Sequence, residues 1–307
     1  MTSDRGERTH IPKHPSFVKI LALLSQARWH NISVLALSQY LAVFFVLNDI
    51  SNWKTVITDW VLHLIVLSGL LIVAAGFLIN NFYDREKDLI NRPNRTLFEA
   101  YLDKDLAVML YLLLNAVALV ISLAISVRAF VYYLVFVFLL WMYSHKIKKK
   151  PMAGNLMASF LAIYPFFAVF IYYKLHNVYV ALYTFLIWTL LYTRELVKDL
   201  ESLKGDLLLG YKTLPVVIGK LNSLKYLRFV LAVDCVVFVL FYRHTYHALP
   251  SAGTYALCVA LVLVMLLVST FVRASYTLIS IWHNAFRLLI FIGICFLAIE
   301  SQWSFVY

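Results

Sequence analysis

Residues 80–93 read Asn80-Asn81-Phe82-Tyr83-Asp84-Arg85-Glu86-Lys87-Asp88-Leu89-Ile90-Asn91-Arg92-Pro93 and continue without a break from an apolar run at 58–82. If the helix of that run persists, a rotation of ~100° per residue puts Asn80, Asp84 and Asp88 within about 80° of one another, on one face of two turns. Three oxygen-bearing side chains then point the same way at the edge of an apolar segment. Asn80 lies deepest, where an unpaired polar side chain is costly and calls for a functional partner.

The same geometry recurs after the apolar run at 178–196. Glu195, Asp199, Ser202 and Asp206 follow at intervals of four, three and four residues, again a single helical stripe. Acidic residues number only 16, and ten of them lie in two stretches: Asp84, Glu86, Asp88, Glu99, Asp103 and Asp105, then Glu195, Asp199, Glu201 and Asp206. Two such stripes facing one another make an oxygen-rich site. Magnesium takes carboxylate and carbonyl oxygens, keeps several waters and bridges a protein to substrate phosphates, so a diphosphate fits between the stripes. No His or Cys accompanies these acids, which argues against zinc.

Composition places the stripes in a membrane protein. Of 307 residues, 63% are hydrophobic and 14% charged, against roughly 25% charged in a soluble globular chain. A bilayer core ~30 Å thick needs roughly 20 mostly apolar residues per helix. Apolar runs predict nine transmembrane helices, at 32–49, 58–82, 105–125, 128–144, 155–174, 178–196, 224–243, 252–272 and 281–300. The expected fold is an all-α polytopic bundle forming one transmembrane domain over 1–307, with 1–31 as a polar, basic amino-terminal segment. That segment lacks the short apolar core and small-residue cleavage site of a removable signal peptide.

Charge placement orients the layout. Of the 27 Lys and Arg residues, all but Lys54, Arg128, Lys174 and Arg243 fall on the side that holds the amino terminus, which the positive-inside rule assigns to the cytoplasm together with both acidic stretches. In a bacterium the host would be the plasma membrane. The net charge of +11 sits in short loops beside apolar helices rather than on one soluble face, so it points to lipid headgroups and an anionic substrate, with no nucleic acid. Cys235, Cys258 and Cys295 lie inside predicted spans without metal-ligand spacing and read as packing residues. Asp234, inside the 224–243 span, reads as a structural hydrogen-bonding group.

At Asn80, Asp84 and Asp88 followed by Asn91-Arg92-Pro93, the sequence resembles the UbiA superfamily of intramembrane prenyltransferases, whose first signature has Asn then Asp at spacings of four and eight. Its second signature is similar to Asp206-Leu207-Leu208-Leu209-Gly210-Tyr211-Lys212-Thr213-Leu214-Pro215 with the closing Gly219. One departure is Ser202, which stands where the family usually has Asp; Asp199 also resembles a family Asp, with Glu195 or Glu201 assisting. Arg28-Trp29-His30-Asn31, Tyr143-Ser144, Lys146, Lys148, Lys149 and Asn155 extend the likeness along most of the chain.

The resemblance implies a nine-helix UbiA-like bundle in which Asp84, Asp88, Asp199 and Asp206 bind magnesium and Asn80 orients a metal-bound phosphate oxygen. Arg92, Lys148, Lys204 and Lys212 are the candidates for clamping the diphosphate. The implied reaction moves a prenyl group from an isoprenyl diphosphate to a lipophilic acceptor inside a water-excluding chamber. Arg194–Asp199 and Gly210–Pro215 look most like members that alkylate geranylgeranylglyceryl phosphate. Members that prenylate an aromatic quinone precursor have similar motifs, and a membrane transporter is the rival from another class.

Overall fold

The computed structural model describes residues 16–47, 53–173, 178–272 and 274–299. Its elements are α1 (Ser16–Gln26), α2 (Trp29–Leu41) continuing as a π-helical turn (Ala42–Leu47), α3 (Trp53–Thr58), α4 (Trp60–Asn91), α5 (Pro93–Glu99), α6 (Lys104–Ile125) and α7 (Val127–His145). After a 3-10 turn (Ile147–Lys149) come α8 (Ala153–Tyr172), α9 (Val178–Leu208), α10 (Leu214–Ile218), α11 (Lys220–Thr245), α12 (Pro250–Ser269) and α13 (Tyr276–Ile299). Among the described residues there is no strand.

Each predicted span coincides with a helix, and seven helices among the described residues are long and apolar enough to cross a membrane. The segments predicted at 32–49 and 224–243 correspond to α2 with its π-helical turn and to α11, which fall outside those seven; α11 carries Arg228, Asp234 and Arg243. The predicted 1–31 segment is not uniformly polar. Its part 16–26 is the helix α1, with Phe17, Ile20 and Leu24 exposed; residues 1–15 lie outside the described residues, as do the predicted span ends at 48–49, 174 and 300.

The helix ends have local causes. Asp59 opens α4 by accepting hydrogen bonds from the Val61 and Leu62 amides, both at 3.1 Å. Pro93 closes it, because the residue before a proline is pushed out of the helical region and Arg92 sits at φ −145°, ψ 60°. Gly210 ends α9 in the left-handed region (φ 67°), and the Tyr211 amide bonds back to the Asp206 carbonyl at 2.9 Å. That turn brings Tyr211 back toward α4, where its hydroxyl lies 3.4 Å from an Asp84 carboxylate oxygen.

Two apolar cores organise the bundle. Val66, Ile72, Ala118, Phe136 and Val169 belong to a core shared by α4, α6, α7 and α8. Leu190, Leu231, Phe238, Val259 and Trp282 belong to a second, shared by α9, α11, α12 and α13. The halves meet where α4 and α8 touch α9, and again where α2 touches α13. Thr193 donates a 2.7 Å hydrogen bond to Asp234, tying α9 to α11. The starts of α2, α8 and α13 and the ends of α4, α7 and α9 gather at one end of the bundle, where they enclose a polar cleft.

Gly205 sets how closely α4 and α9 approach there. A Cβ at Gly205 would meet the Asn91 amide at 2.5 Å, and the Asn91 side chain bonds the Gly205 amide (3.2 Å) and the Ser202 carbonyl (3.4 Å). Gly205→Ala is expected to lower stability by about 1–3 kcal/mol, the usual cost of overpacking. Thermal unfolding in detergent measures this, and coupling with Asn91→Ala should make the double variant depart from additivity.

Candidate active site

The cleft has about 920 Å³ of empty space, part of it open to solvent. Its walls carry Asn80, Asp84, Lys87, Asp88 and Arg92 from α4, Lys148 and Asn155 from around the α7–α8 junction, and Arg194, Lys198, Asp199, Glu201 and Ser202 from α9. Arg28 enters from the start of α2, and His283 and Arg287 from α13. Because α4 stays helical through Asn91 and α9 through Leu208, both sequence stripes reach the same space.

Several charges that burial would make costly meet a group from a different helix or turn. The Lys148 ammonium lies 2.7 Å from Asp84 Oδ1 and donates to Asn80 Oδ1 at 2.9 Å, with the Lys148 side chain only 6% exposed. Lys87 lies 2.5 Å from Asp206 Oδ1. Asp206 itself is fully buried, and its other oxygen accepts hydrogen bonds from Ser202 and Thr213, both at 3.0 Å. Asn155 donates to Asp199 at 2.8 Å. Burial, together with the neighbouring Asp84 carboxylate, raises the Tyr211 phenol above its ordinary pKa, so it stays protonated and able to donate.

The cleft is also rich in arginine, with Arg28 and Arg92 within electrostatic reach of Asp88. Arg28 stands at φ 53°, a left-handed conformation uncommon outside glycine, held at the junction of α1 and α2. A latch fixes that junction: Gln26 donates to the Glu99 carbonyl at 2.7 Å, Ser25 to the Glu99 carboxylate at 2.8 Å, and Arg95 to the Ser25 carbonyl at 2.9 Å. Burial, then Arg95, Arg92 and Arg194, pushes the Arg28 guanidinium below its ordinary pKa, the signature of positive charge crowded in a poorly hydrated place. Arg287 lies within electrostatic reach of Arg194 and Arg92. Arg194 Nη1 pairs with Glu195 at 2.9 Å and Lys198 with the same carboxylate at 2.6 Å. Yet Nε of Arg28 and Nε of Arg194 are buried with no hydrogen-bond partner among the described residues.

The lining therefore holds seven cations (Arg28, Lys87, Arg92, Lys148, Arg194, Lys198, Arg287) against five carboxylates (Asp84, Asp88, Glu195, Asp199, Glu201). The excess is positive, which suits anionic ligands.

Of the sequence candidates, Asn80, Asp84, Asp88, Asp199, Arg92 and Lys148 line the cleft. Asp206 sits behind the wall, reached through Lys87 and Ser202. Lys204 and Lys212 are exposed and outside the lining. Glu195 is taken by Arg194 and Lys198, and Glu201 by His283 at 2.5 Å with Arg92 at 3.7 Å. His283 corrects the expectation that no histidine accompanies the acids: it arrives from α13, 82 residues from its partner. Arg28, Lys87, Asn155, Arg194, Lys198 and Arg287 also join the cleft without having been assigned to it. For the α13 pair the available signal was the four-residue spacing of His283 and Arg287 on an otherwise apolar helix.

Among the described residues, no three His, Cys, Asp or Glu side chains stand close enough to form a ready metal cluster. The donor set still fits a hard divalent cation: Asp84 and Asp88 are one turn apart on α4, Asp199 faces the same cleft, and all three offer oxygen. The ammonium groups of Lys148 and Lys87 stand against Asp84 and Asp206 where positive charge is needed.

A helical membrane bundle with a charge-lined cleft at one end is the class these observations define. The sequence profile of the UbiA prenyltransferase family matches residues 35–290. A digeranylgeranylglyceryl phosphate synthase of Sulfurisphaera tokodaii is 30% identical over 255 residues, covering 81% of this chain and 88% of that one. Another, from Thermococcus sibiricus, is 37% identical over 164 residues, 53% and 58% of the two chains. Among solved structures, one of digeranylgeranylglyceryl phosphate synthase superimposes with a TM-score of 0.67 at 21% identity, covering 92% of this chain and 99% of that one. A UbiA homologue from Archaeoglobus fulgidus bound to GPP and Mg2+ superimposes with a TM-score of 0.64 at 16% identity, over 91% and 99% of the chains. This chain belongs to the UbiA prenyltransferase family: it is an integral, multi-pass membrane enzyme that transfers prenyl groups.

Lys148→Met leaves the half-buried Asp84 carboxylate and Asn80 amide without their cation. Loss of one partner of a fully buried pair costs about 3–5 kcal/mol and a half-buried one less, so the variant should unfold at a lower temperature than wild type. Thermal scans with and without magnesium should show a smaller deficit when the ion is present.

Proposed function

We propose that the enzyme joins the prenyl group of an isoprenyl diphosphate, in a magnesium-dependent reaction, to the free hydroxyl of a phosphorylated glycerol ether, with geranylgeranylglyceryl phosphate as the reference acceptor. One observation carries the choice of acceptor: an arginine-rich wall whose Arg28 and Arg194 each keep a buried, unpartnered Nε. A buried guanidinium donor without an acceptor is costly, and phosphate matches the guanidinium fork. A diphosphate held at the carboxylate and lysine wall would not need this second set of cations. The relatives that act as digeranylgeranylglyceryl phosphate synthases support the same reading.

Asp84, Asp88, Asp199 and Asp206 would hold magnesium, which when bound neutralises charge developing on the leaving diphosphate. Lys148 and Arg92 add fixed positive charge on that wall, and Asn80, already oriented by Lys148, presents an amide to a phosphate oxygen. Tyr211 keeps its proton and adds a donor beside Asp84. Burial of the reacting carbon among helices keeps water from intercepting the allylic cation, so the hydroxyl of the acceptor is the nucleophile present. The cleft and the amino terminus face the cytoplasm on this reading, as the skewed distribution of Lys and Arg supports.

The direct test is diphosphate release by purified protein in nanodiscs with geranylgeranyl diphosphate and magnesium, comparing geranylgeranylglyceryl phosphate with aromatic acids. Release that requires the phosphorylated acceptor and disappears with chelator is expected; release only with aromatic acids would replace the acceptor. Asp84→Ala and Asp88→Ala should each lower turnover by about 100-fold or more while membrane insertion is retained. Arg194→Gln should raise KM for the phosphorylated acceptor by about tenfold, the loss of one charge-assisted contact, and leave KM for the donor nearly unchanged.

A further inference from the structure

Between the arginine wall and the end of α9 lies a dyad that the reaction as described above does not use. His283 is 3% exposed, lines the cleft, and has Nδ1 at 2.5 Å from Glu201 Oε2. A carboxylate can only accept, so the proton of this hydrogen bond rides on Nδ1, and Nε2 of the neutral ring carries a lone pair. That Nε2 is buried and has no hydrogen-bond partner among the described residues. Arg92 also reaches Glu201, at 3.7 Å, so the carboxylate is fixed from α4 as well as from α13. Glu201 and Asp199 are two residues apart on one helix, which turns their side chains about 160° from each other, so Glu201 belongs to the histidine and not to the carboxylate stripe.

We propose that His283 is the base that takes the proton of the acceptor hydroxyl, with Glu201 as the positioning residue that fixes its tautomer. This rests on the phosphorylated-glycerol reading and adds its missing proton acceptor. In the step, the C1–O bond of the donor breaks and its electron pair leaves with the diphosphate. A lone pair of the hydroxyl oxygen forms the new C–O ether bond to C1, and the O–H proton passes to Nε2, giving an imidazolium paired with Glu201. The place suits such an acceptor. A hydroxyl vicinal to a phosphate ester is separated from the ester oxygen by only two carbons, so anchoring the phosphate on Arg28, Arg194 and Arg287 brings the hydroxyl to their neighbourhood. Arg287 is one turn beyond His283 on α13, and Arg194 of α9 is within electrostatic reach of the ring. The charged groups facing His283 are thus Arg194, Glu195 and Glu201 of α9, Arg92 of α4 by way of Glu201, and Arg287 of its own helix.

His283→Asn keeps a donor in the place of Nδ1 and removes the basic nitrogen. Two readouts on the full-length enzyme in nanodiscs separate the base from a structural role. Transfer to geranylgeranylglyceryl phosphate should fall by about 100-fold or more in kcat, the usual contribution of general base catalysis, with little change in acceptor KM. Ionisation of the donor, followed by scrambling of a bridging oxygen-18 label of geranylgeranyl diphosphate into non-bridging positions, should stay near wild type. Wild-type kcat should rise with pH along a limb that the variant lacks, and Glu201→Gln should lower kcat less than His283→Asn does. Transfer by His283→Asn within about threefold of wild type would overturn the proposal and leave the acceptor reading standing, as that is far below a general-base effect. Parallel loss of transfer and scrambling would also overturn it, assigning His283 a structural role. A wild-type enzyme that scrambles the label but alkylates no phosphorylated glycerol acceptor would instead overturn the acceptor reading, and the base assignment would fall with it.

Discussion

A charge buried at the end of a membrane helix has to be neutralised or hydrogen-bonded by a group close enough to replace water, and at four places in this chain that group comes from another element. Lys148 after α7 meets Asp84 on α4; Lys87 on α4 meets Asp206 on α9; Asn155 on α8 meets Asp199 on α9; His283 on α13 meets Glu201 on α9. Apolar packing holds the two halves of the bundle as separate cores. At the cleft, what joins those halves is the pairs Lys87–Asp206, Asn155–Asp199 and Arg92–Glu201, together with the close approach allowed by Gly205. The end of the bundle is thus fastened by the same side chains that a substrate phosphate or a divalent cation would engage.

That double use has a physical consequence. Lysine pairs stabilise the carboxylates while the cleft holds only protein, and an incoming cation of higher charge density competes for the same oxygens. Each ammonium displaced in this way is then available to a phosphate. On the magnesium reading proposed above, such an exchange would call on reorientation of long side chains carried by a framework of packed helices. Tyr211 illustrates the rigidity behind it: the turn at Gly210 fixes the ring between Lys87 and Lys149, whose ammonium groups lie 5.1 and 4.7 Å from its centroid.

The stripes were legible in sequence because helical periodicity survives the boundary between lipid and water, while apolarity does not. Hydropathy ends the second and sixth predicted spans at 82 and 196, yet α4 and α9 run on to Asn91 and Leu208. Spacing puts Asn80, Asp84 and Asp88 on one helical face and Asp199 on a second stripe, while helix ends and the short helices α1, α3, α5 and α10 leave no mark in the long apolar runs. The basic residues divide differently. Lys204 lies about 140° around the helix from Asp199 and Lys212 follows the turn at Gly210, so nearness in sequence did not carry either into the cleft. Arg28 reaches it from the start of α2 and His283 from α13, which packs along α9 and touches α2, contacts between distant parts of the chain that no local pattern encodes.

The cleft that results is polarised rather than uniformly charged. Asp84 and Asp88 with Lys87 and Lys148 occupy the side built by α4 and the α7–α8 junction, α9 contributes Asp199 beside them, and Arg28, Arg194 and Arg287 gather where α2, α9 and α13 converge. Two anions of like charge bound in one small space repel each other strongly at low dielectric, so their sites must be separated and separately neutralised. A wall able to recruit a divalent cation suits the more highly charged diphosphate, and a fixed guanidinium wall suits a single phosphate ester. With an anion on each side, the reacting carbon and oxygen are left between the walls, beside the uncharged helices that shield them from water. The histidine dyad stands at the arginine side of that gap, where a proton released from the acceptor would otherwise add to a wall already crowded with positive charge; Glu201 supplies the compensating carboxylate.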